Sequence, residues 1–507
     1  MSFSAPDGKG RYEGHVPRRQ INSYAKPYMK IIFKKIIVVL LRSEARLVLK
    51  KYRPKVVAIT GSVGKTLTKD AIYSVLATTF FVRKSSKSFN SEIGVPLTIL
   101  GLQNGWNNPF NWVKNLTDGL ALILFPHKYP EWLVIEVGAD RPGDIQSIAS
   151  WLRPNIAVVT QLSDVPVHIE FFNSAEQVRH EKSQLVLATG KKDTVILNAD
   201  DKLVSSMRPL AKGRVITYGS TNPADISGSD FNFIYSQKPP FFPTGVSFKV
   251  DGGAESADGK NVGTESTEVK GKKLPIEIKG ALGRQQMYAS LASLAVAEAL
   301  HIPAEKAVSA LCAHDSPPGR MRILSGVSGA CIIDDTYNSS PVAANEALNT
   351  LKNVNILGSD QGLSRGADWS AGQYAGQSVG QGVGQSVGRK IVVLGDMLEL
   401  GQYSQGEHEK LGIKAAGVAD VIYTVGTRAR GIMDSAITAG FPRERVFWFN
   451  DSTSAGDALR QNLKNGDIVL IKGSQGVRME KAIAMILAEP ERAGELLARQ
   501  ELEWRNR

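Results

Sequence analysis

Short apolar runs recur along this chain and stop abruptly at glycine or polar residues. The first, Lys55-Val56-Val57-Ala58-Ile59-Thr60, ends at Gly61. It is apolar without alternation, so it predicts a strand buried on both faces, as in a parallel sheet. Runs at 132–137, 156–160 and 194–198 have the same character. Helical stretches alternate with them, the earliest at 69–76. That order predicts an α/β domain with a mostly parallel sheet.

Residues 221–273 break the pattern. They are rich in Gly, Ser, Lys and Asp, with alternating segments such as 245–250, and predict a small antiparallel excursion. An Ala-rich helix is expected at about 286–300. Asp315-Ser316-Pro317-Pro318-Gly319 reads as a hinge. A second, Rossmann-like α/β unit opens at Cys331-Ile332-Ile333-Asp334-Asp335 and continues with strands at 390–394, 421–425 and 467–471. A low-complexity insert at 358–388 contains Gly-Gln-Ser-Val-Gly twice and reads as a disordered loop without a catalytic role. The expected division is a basic N-terminal helical segment at 1–54, a central domain at 55–314, a C-terminal domain at 315–490 and a tail at 491–507. A chain of 507 residues is too long for one ordinary core, which agrees with that division.

Charge sharpens the reading of the N-terminus. Residues 1–55 hold fourteen Lys or Arg against three acids, a balance of +11, while the whole chain carries +12. The body is therefore nearly neutral, which argues against a nucleic-acid-binding surface. Ile31-Ile32-Phe33-Lys34-Lys35-Ile36-Ile37-Val38-Val39-Leu40-Leu41 is too short and too charged to span a bilayer, and no signal-peptide cleavage pattern follows it. Two readings stay open: a helix packed on the body, or a basic amphipathic helix on an anionic membrane face. Cys312 and Cys331 show neither metal-ligand nor disulfide spacing and read as buried thiols, which suits a reducing cytoplasm.

The candidate chemistry starts at Gly61-Ser62-Val63-Gly64-Lys65-Thr66, between a predicted strand and a predicted helix. Glycines let backbone N–H groups close around phosphate oxygens, and the helix N-terminus adds partial positive charge. Lys65 is placed to reach the terminal phosphates, and the Thr66 hydroxyl to ligate Mg²⁺. The loop departs from the longer phosphate-loop pattern, which wants a glycine where Ile59 stands. Glu136 ends a strand, where open α/β sheets place their ligand sites.

With Thr60 included, this loop resembles that of the Mur ligase family. Other stretches resemble the same family in the same order. They are Asn90-Ser91-Glu92-Ile93-Gly94-Val95-Pro96, Ile135-Glu136-Val137-Gly138-Ala139, Asp334-Asp335-Thr336-Tyr337-Asn338-Ser339-Ser340-Pro341, Leu394-Gly395-Asp396-Met397-Leu398-Glu399-Leu400-Gly401 and Lys472-Gly473-Ser474. The likeness runs from about 54 to 485 and is greatest to the branch that adds D-alanyl-D-alanine to a UDP-linked muramoyl tripeptide.

The resemblance implies a P-loop ATPase domain and an ATP-dependent amide ligase of peptidoglycan synthesis, acting through an acyl phosphate. It implies ATP and two Mg²⁺ ions, small-molecule substrates and a cytoplasmic monomer. Gly61 to Thr66 would bind ATP, joined by Asn198, Arg320, Asp335 and Asn338. Lys65, His168 and Lys182 would be catalytic, and Thr66, Glu136 and His168 would hold metal. Lys182 would join them as the lysine this family carbamylates. Asn90, His408 and Lys472 would face the substrates. The helix-cap reading of Asp335 also stands. Departures are Gln184 where Glu is common and Gly283-Arg284-Gln285-Gln286 in place of a Gly-x-His-Asn-like motif. Only about 54 residues precede the loop strand, where the family usually carries a uridine-nucleotide-binding domain. Two alternatives follow: an amide ligase for another carboxylate and amine, such as a lipid-linked or polyglutamate-like substrate, or a non-catalytic nucleotide-binding partner of cell-wall enzymes.

Overall fold

A computed structural model describes residues 21–86, 89–163, 165, 168–252, 273–356 and 388–505. The insert expected at 358–388 lies almost wholly outside them. The first helix, α1 (Ile21–Tyr52), leads into β1 (Lys55–Thr60). In order come α2 (Lys65–Leu76), β2 (Val82–Lys84), α3 (Gly94–Leu100), α4 (Pro109–Leu124), β3 (Trp132–Glu136), α5 (Asp144–Leu152), β4 (Ile156–Val159), α6 (Ala175–Leu187) and β5 (Thr194–Asn198). Four more strands follow, β6 (Arg214–Gly219), β7 (Ile226–Tyr235), β8 (Pro243–Gly252) and β9 (Leu274–Lys279). All nine strands form one sheet in the order β2-β3-β1-β4-β5-β6-β7-β8-β9.

Successive residues of β1 serve opposite faces. Val57 and Ile59 enter one core with α2 and the helix Arg284–Ala299, while Val56 and Ala58 enter a second core with α1, α3 and α5. Trp132 and Val134 of β3 divide from Leu133 and Ile135 in the same way. This two-sided burial explains the unbroken apolar runs.

The segment expected as a small antiparallel excursion is one, formed by β7, β8 and β9, and it extends this sheet. Strand β7 pairs parallel with β6, and only the β7–β8 and β8–β9 pairs are antiparallel. The second sheet collects β10 (Arg322–Ser325), β11 (Cys331–Asp335), β12 (Lys390–Gly395), β13 (Val421–Val425), β14 (Val446–Phe449) and β15 (Ile468–Lys472), in the order β10-β11-β15-β12-β13-β14. It thus begins one strand earlier than expected, at antiparallel β10.

Helix α1 packs on the body through Ile37, Leu41, Ala45 and Val48, which are buried. Among the described residues no helix is long and apolar enough to cross a membrane. Cys331 is buried, and burial pushes its thiol up to about 12. Cys312 is exposed, which corrects the reading of both thiols as buried: it sits at the end of a short amphipathic helix, on the outer side.

The hinge segment is pinned. Gly319 adopts φ 75°, and its N–H donates to Asp334 Oδ2 at 2.9 Å. An added Cβ would stand 2.8 Å from the Tyr337 nitrogen, so glycine is required.

Candidate active site

The sheet order puts β1 between β3 and β4, with a crevice beyond their C-terminal ends. The loop after β1 enters that crevice. Gly61 has φ 146°, and any side chain there would collide with Thr160 Oγ1. Gly64, at φ 85°, turns the chain into α2. The amides of Ser62 and Val63 donate to Gln161 O at 2.7 and 3.2 Å, so β4's loop holds them. This leaves the start of α2 as the end that presents N–H groups outward.

Four side chains meet at this point. Thr66 Oγ1 donates to Glu136 Oε2 at 2.9 Å, and Asn90 Nδ2 donates to Glu136 Oε1 at 3.0 Å. Arg320 reaches across from the second unit, and its Nη2 donates to Thr66 Oγ1 at 3.1 Å. Glu136 is buried, with its two oxygens bonded by neutral donors. Lys65 Nζ donates to Gly61 O at 2.9 Å. Burial holds the Lys65 ammonium below its ordinary range, with Glu136 opposing and Arg320 adding to the shift. An anion entering here would meet both cations.

Lys182, on α6, is buried, and burial lowers its amine to about 7; nearby Lys65 pushes the same way, while Glu181, Asp140 and Glu136 push back. Glu181 is committed elsewhere. Its carboxylate accepts from the amides of Gly143, Ile145 and Gln146 and caps α5. His168 sits at φ 70° with its Nδ1 2.7 Å from Glu399 Oε2 and its Nε2 3.5 Å from Asp140. Glu399 belongs to the second unit, so this pair joins the two units. Gly401 packs on Glu170 beside it.

A cleft opens between the units, lined by Val63, Gly64, Gln285, Arg320, Asp335 and Asn338 among others. Gln285 Nε2 donates to Gln161 Oε1 at 3.0 Å, so the segment that departs from the family motif stands against the phosphate-type loop.

Other expected site residues lie elsewhere or are engaged. Lys472 is buried and donates to Asp335 Oδ2 at 2.6 Å and to Asn338 O at 2.9 Å. It braces those two residues rather than pointing at an open acceptor site. The helix after them is capped by Ser340, not Asp335. His408 is buried, with Nε2 accepting from the Met397 amide at 2.9 Å and Nδ1 2.6 Å from Ser404 O. Burial lowers its pKa. It shapes the loop carrying Glu399. Asn198 is buried, and its side chain accepts from the Asp200 amide at 3.0 Å, forming a turn.

Three contributors went unread in the sequence. Asp334 accepts from Gly319 and Thr336, and burial lifts its carboxyl to about 6. Glu399 stands in a quoted motif but had no assigned task. Arg499 lies in the expected tail. It donates to Thr336 O, Tyr337 O and Glu480. Both Arg320, at 4.1 Å, and Arg499, at 5.0 Å, stand over the Tyr337 ring. Only contacts formed after folding reveal this, since Arg499 is far from Arg320 in sequence.

Comparison with known proteins agrees with this geometry. Residues 59–297 match the model of the Mur ligase middle domain, and residues 371–475 match that of the Mur ligase, glutamate ligase domain. The UDP-N-acetylmuramoyl-tripeptide--D-alanyl-D-alanine ligase of Bacillus subtilis (strain 168) is 24% identical over 451 residues, covering 89% of this chain and 79% of its own. The protein of that name from Mycobacterium leprae (strain TN) is 27% identical over 435 residues, covering 83% and 71%. The fold is similar to crystal structures of MurF from Acinetobacter baumannii (TM-score 0.64, 20% identity, 88% of this chain and 80% of that one) and of MurF ligase from Thermotoga maritima in complex with ADP (0.64, 22%, 90% and 84%).

Proposed function

Because the chain belongs to the Mur ligase family of ATP-dependent amide ligases in peptidoglycan synthesis, we propose that it joins D-alanyl-D-alanine to the terminal carboxylate of a UDP-N-acetylmuramoyl tripeptide. The observation that supports ATP-dependent ligation is the bond from Arg320 to Thr66, which brings a cation of the second unit onto the glycine-rich loop of the first. The names of the relatives support the choice of amine.

In this reaction a carboxylate oxygen takes the terminal phosphoryl group of ATP, and ADP leaves. The amine nitrogen then attacks the acyl carbon, inorganic phosphate departs with the C–O bonding pair, and the amine gives up a proton. Little covalent work falls to the protein; alignment and charge neutralisation dominate. Lys65 and Arg320 would neutralise the phosphoryl oxygens. Asn90 fixes the Glu136 carboxylate, and Asp335 and Asn338, braced by Lys472, line the nucleotide cleft.

Thr66 Oγ1 and Glu136, 2.9 Å apart, are a hard oxygen set that fits Mg²⁺, an ion that takes its remaining ligands from phosphate and water. When bound it would offset phosphate charge. A second ion would be held by His168 and a carbamylated Lys182, and His168 would then have to leave Glu399. The reading places the enzyme in the cytoplasm as a monomer, with residues 1–54 in peripheral contact with the membrane.

The test is ATP hydrolysis and product mass with the UDP-linked tripeptide across a panel of amines. D-alanyl-D-alanine is expected to stimulate turnover most and to give the amide. Stimulation by another amine alone would replace this substrate pair, and turnover with none would favour a non-catalytic partner. Arg499 supplies a second check. Arg499→Ala is expected to raise KM for ATP about tenfold, equivalent to ~1.4 kcal/mol, with KM for the amine unchanged. Arg499→Lys should restore part of it. Equal changes in both KM values would make Arg499 a general fold support instead.

A further inference from the structure

Helices α1 and α4 together expose a run of large apolar side chains that the ligase reaction does not use. On α4 these are Phe110, Val113, Leu120 and Leu124, with Phe125 just beyond; Phe110 is 82% exposed. Their spacing puts them on one helical face. On α1 they are Ile36, Leu40 and Leu47, again on one face. A surface helix should bury its apolar stripe; α1 buries Ile37, Leu41, Ala45 and Val48 and α4 buries Trp112 beside half-buried Leu116 and Ile123, yet each exposes a second set.

The two exposed stripes are neighbours. Leu40 and Leu47 flank Glu44 by one turn on either side. Glu44 lies against Gly119 so closely that any side chain there would collide with its carboxylate. Leu120 follows Gly119 directly. Nearer the ends of the helices, Lys51 Nζ donates to the carbonyls of Leu122, Ile123 and Phe125. Large contiguous apolar patches of this kind mark interaction sites.

The charges say which kind. Lys35, Arg46 and Lys50 on α1 are exposed. Glu44, the sole acid of α1, is turned into the α1–α4 contact, with Oε2 buried and without a hydrogen-bond partner. A second copy across a two-fold axis would set these cations against their own images. A bilayer with anionic headgroups complements them, with apolar side chains entering the acyl boundary and Lys and Arg reaching the headgroups. We propose that the α1–α4 face is a docking surface for an anionic lipid bilayer. The face goes beyond the ligase reading and beyond residues 1–54, because α4 supplies half of it.

The test uses the full chain and vesicles of phosphatidylcholine with or without about one third phosphatidylglycerol. Binding to the anionic vesicles and weak binding to the neutral ones are expected. Lys35→Gln, Arg46→Gln and Lys50→Gln together should weaken binding on the order of 100-fold, about fivefold per charge. Phe110→Ser, Val113→Ser, Leu120→Gln and Leu124→Gln together should also weaken it at least tenfold, with thermal stability unchanged because all four are exposed. Ligase turnover on soluble substrates is the control and should not move. Full vesicle binding by the α4 variant would overturn the surface, as would absence of binding by the native chain. A dimer in solution that the α4 substitutions dissociate would assign the face to a second copy and overturn the lipid.

Discussion

Lys65→Ala is expected to lower product formation at least about 1,000-fold, ~4 kcal/mol of transition-state stabilisation. The size follows from where the ammonium stands. Its Nζ hangs over the loop, donating to Gly61 O and, at 3.4 Å, to Ser62 O. Those carbonyls belong to a loop already held by Gln161, so the fold survives the loss. What disappears is a cation in a desolvated crevice, where charge interactions are stronger than in water. Arg320 remains but bonds to Thr66, so it does not replace the lost charge at the loop. The measurement is single-turnover product formation, with thermal unfolding as the control. Turnover within tenfold of the native enzyme, in a variant of native stability, would remove Lys65 from the reaction.

The second large effect concerns Lys182. An amine lowered to about 7 is cationic below that pH and neutral above it. Only the neutral form adds CO₂, its nitrogen bonding the carbon and releasing a proton to leave an anionic carbamate. With bicarbonate present, turnover is therefore expected to rise from pH 6 to pH 8, and Lys182→Ala to lose about 100-fold or more at pH 8. Carbon-13-labelled bicarbonate should give a carbamate signal in the native protein and none in the variant. A native enzyme equally active after rigorous CO₂ removal would end the carbamate reading. Stability follows the same sign. The unfolded lysine keeps its proton up to about 10.4, the folded one releases it near 7. Between those values the unfolded chain binds more protons, so this group's contribution to stability rises with pH.

The strands that carry the site were legible because each is buried on both faces. β1, β3, β4 and β5 read as unbroken apolar runs, and Glu136 stood out as the acid ending one of them. Strand β2, Val82-Arg83-Lys84, is three residues long with two basic side chains, and neither length nor pattern announces it. Strand β10 lies beside a hinge and is only partly buried. Among site residues, a glycine-rich loop before a helix advertises itself because backbone conformation restricts the residue types. Asp335 and Lys472 looked like separate ligands, yet they form one buried pair at 2.6 Å. Sequence gives the residue types but not which polar partners spend themselves on each other. His408 shows the same limit, since only the fold reveals that backbone groups meet both ring nitrogens. The exposed stripe of α4 was hidden differently. Its helix carries a broad apolar face, and position in the sequence does not say which part of it a neighbour covers.

The stack of Arg320, Tyr337 and Arg499 has a consequence for the timing of synthesis. Chains leave the ribosome at roughly 5–20 residues per second, and domains fold as they emerge. The nine-stranded sheet is complete once β9 has been made, and with it the loop bearing Lys65 and Thr66. The arginine that reaches that loop is not braced until Arg499 arrives, more than two hundred residues after β9. A nascent chain would thus own a phosphate loop for many seconds before it owned a held Arg320. Competence for ATP chemistry is tied to the arrival of Arg499, not to the completion of the sheet that carries the loop.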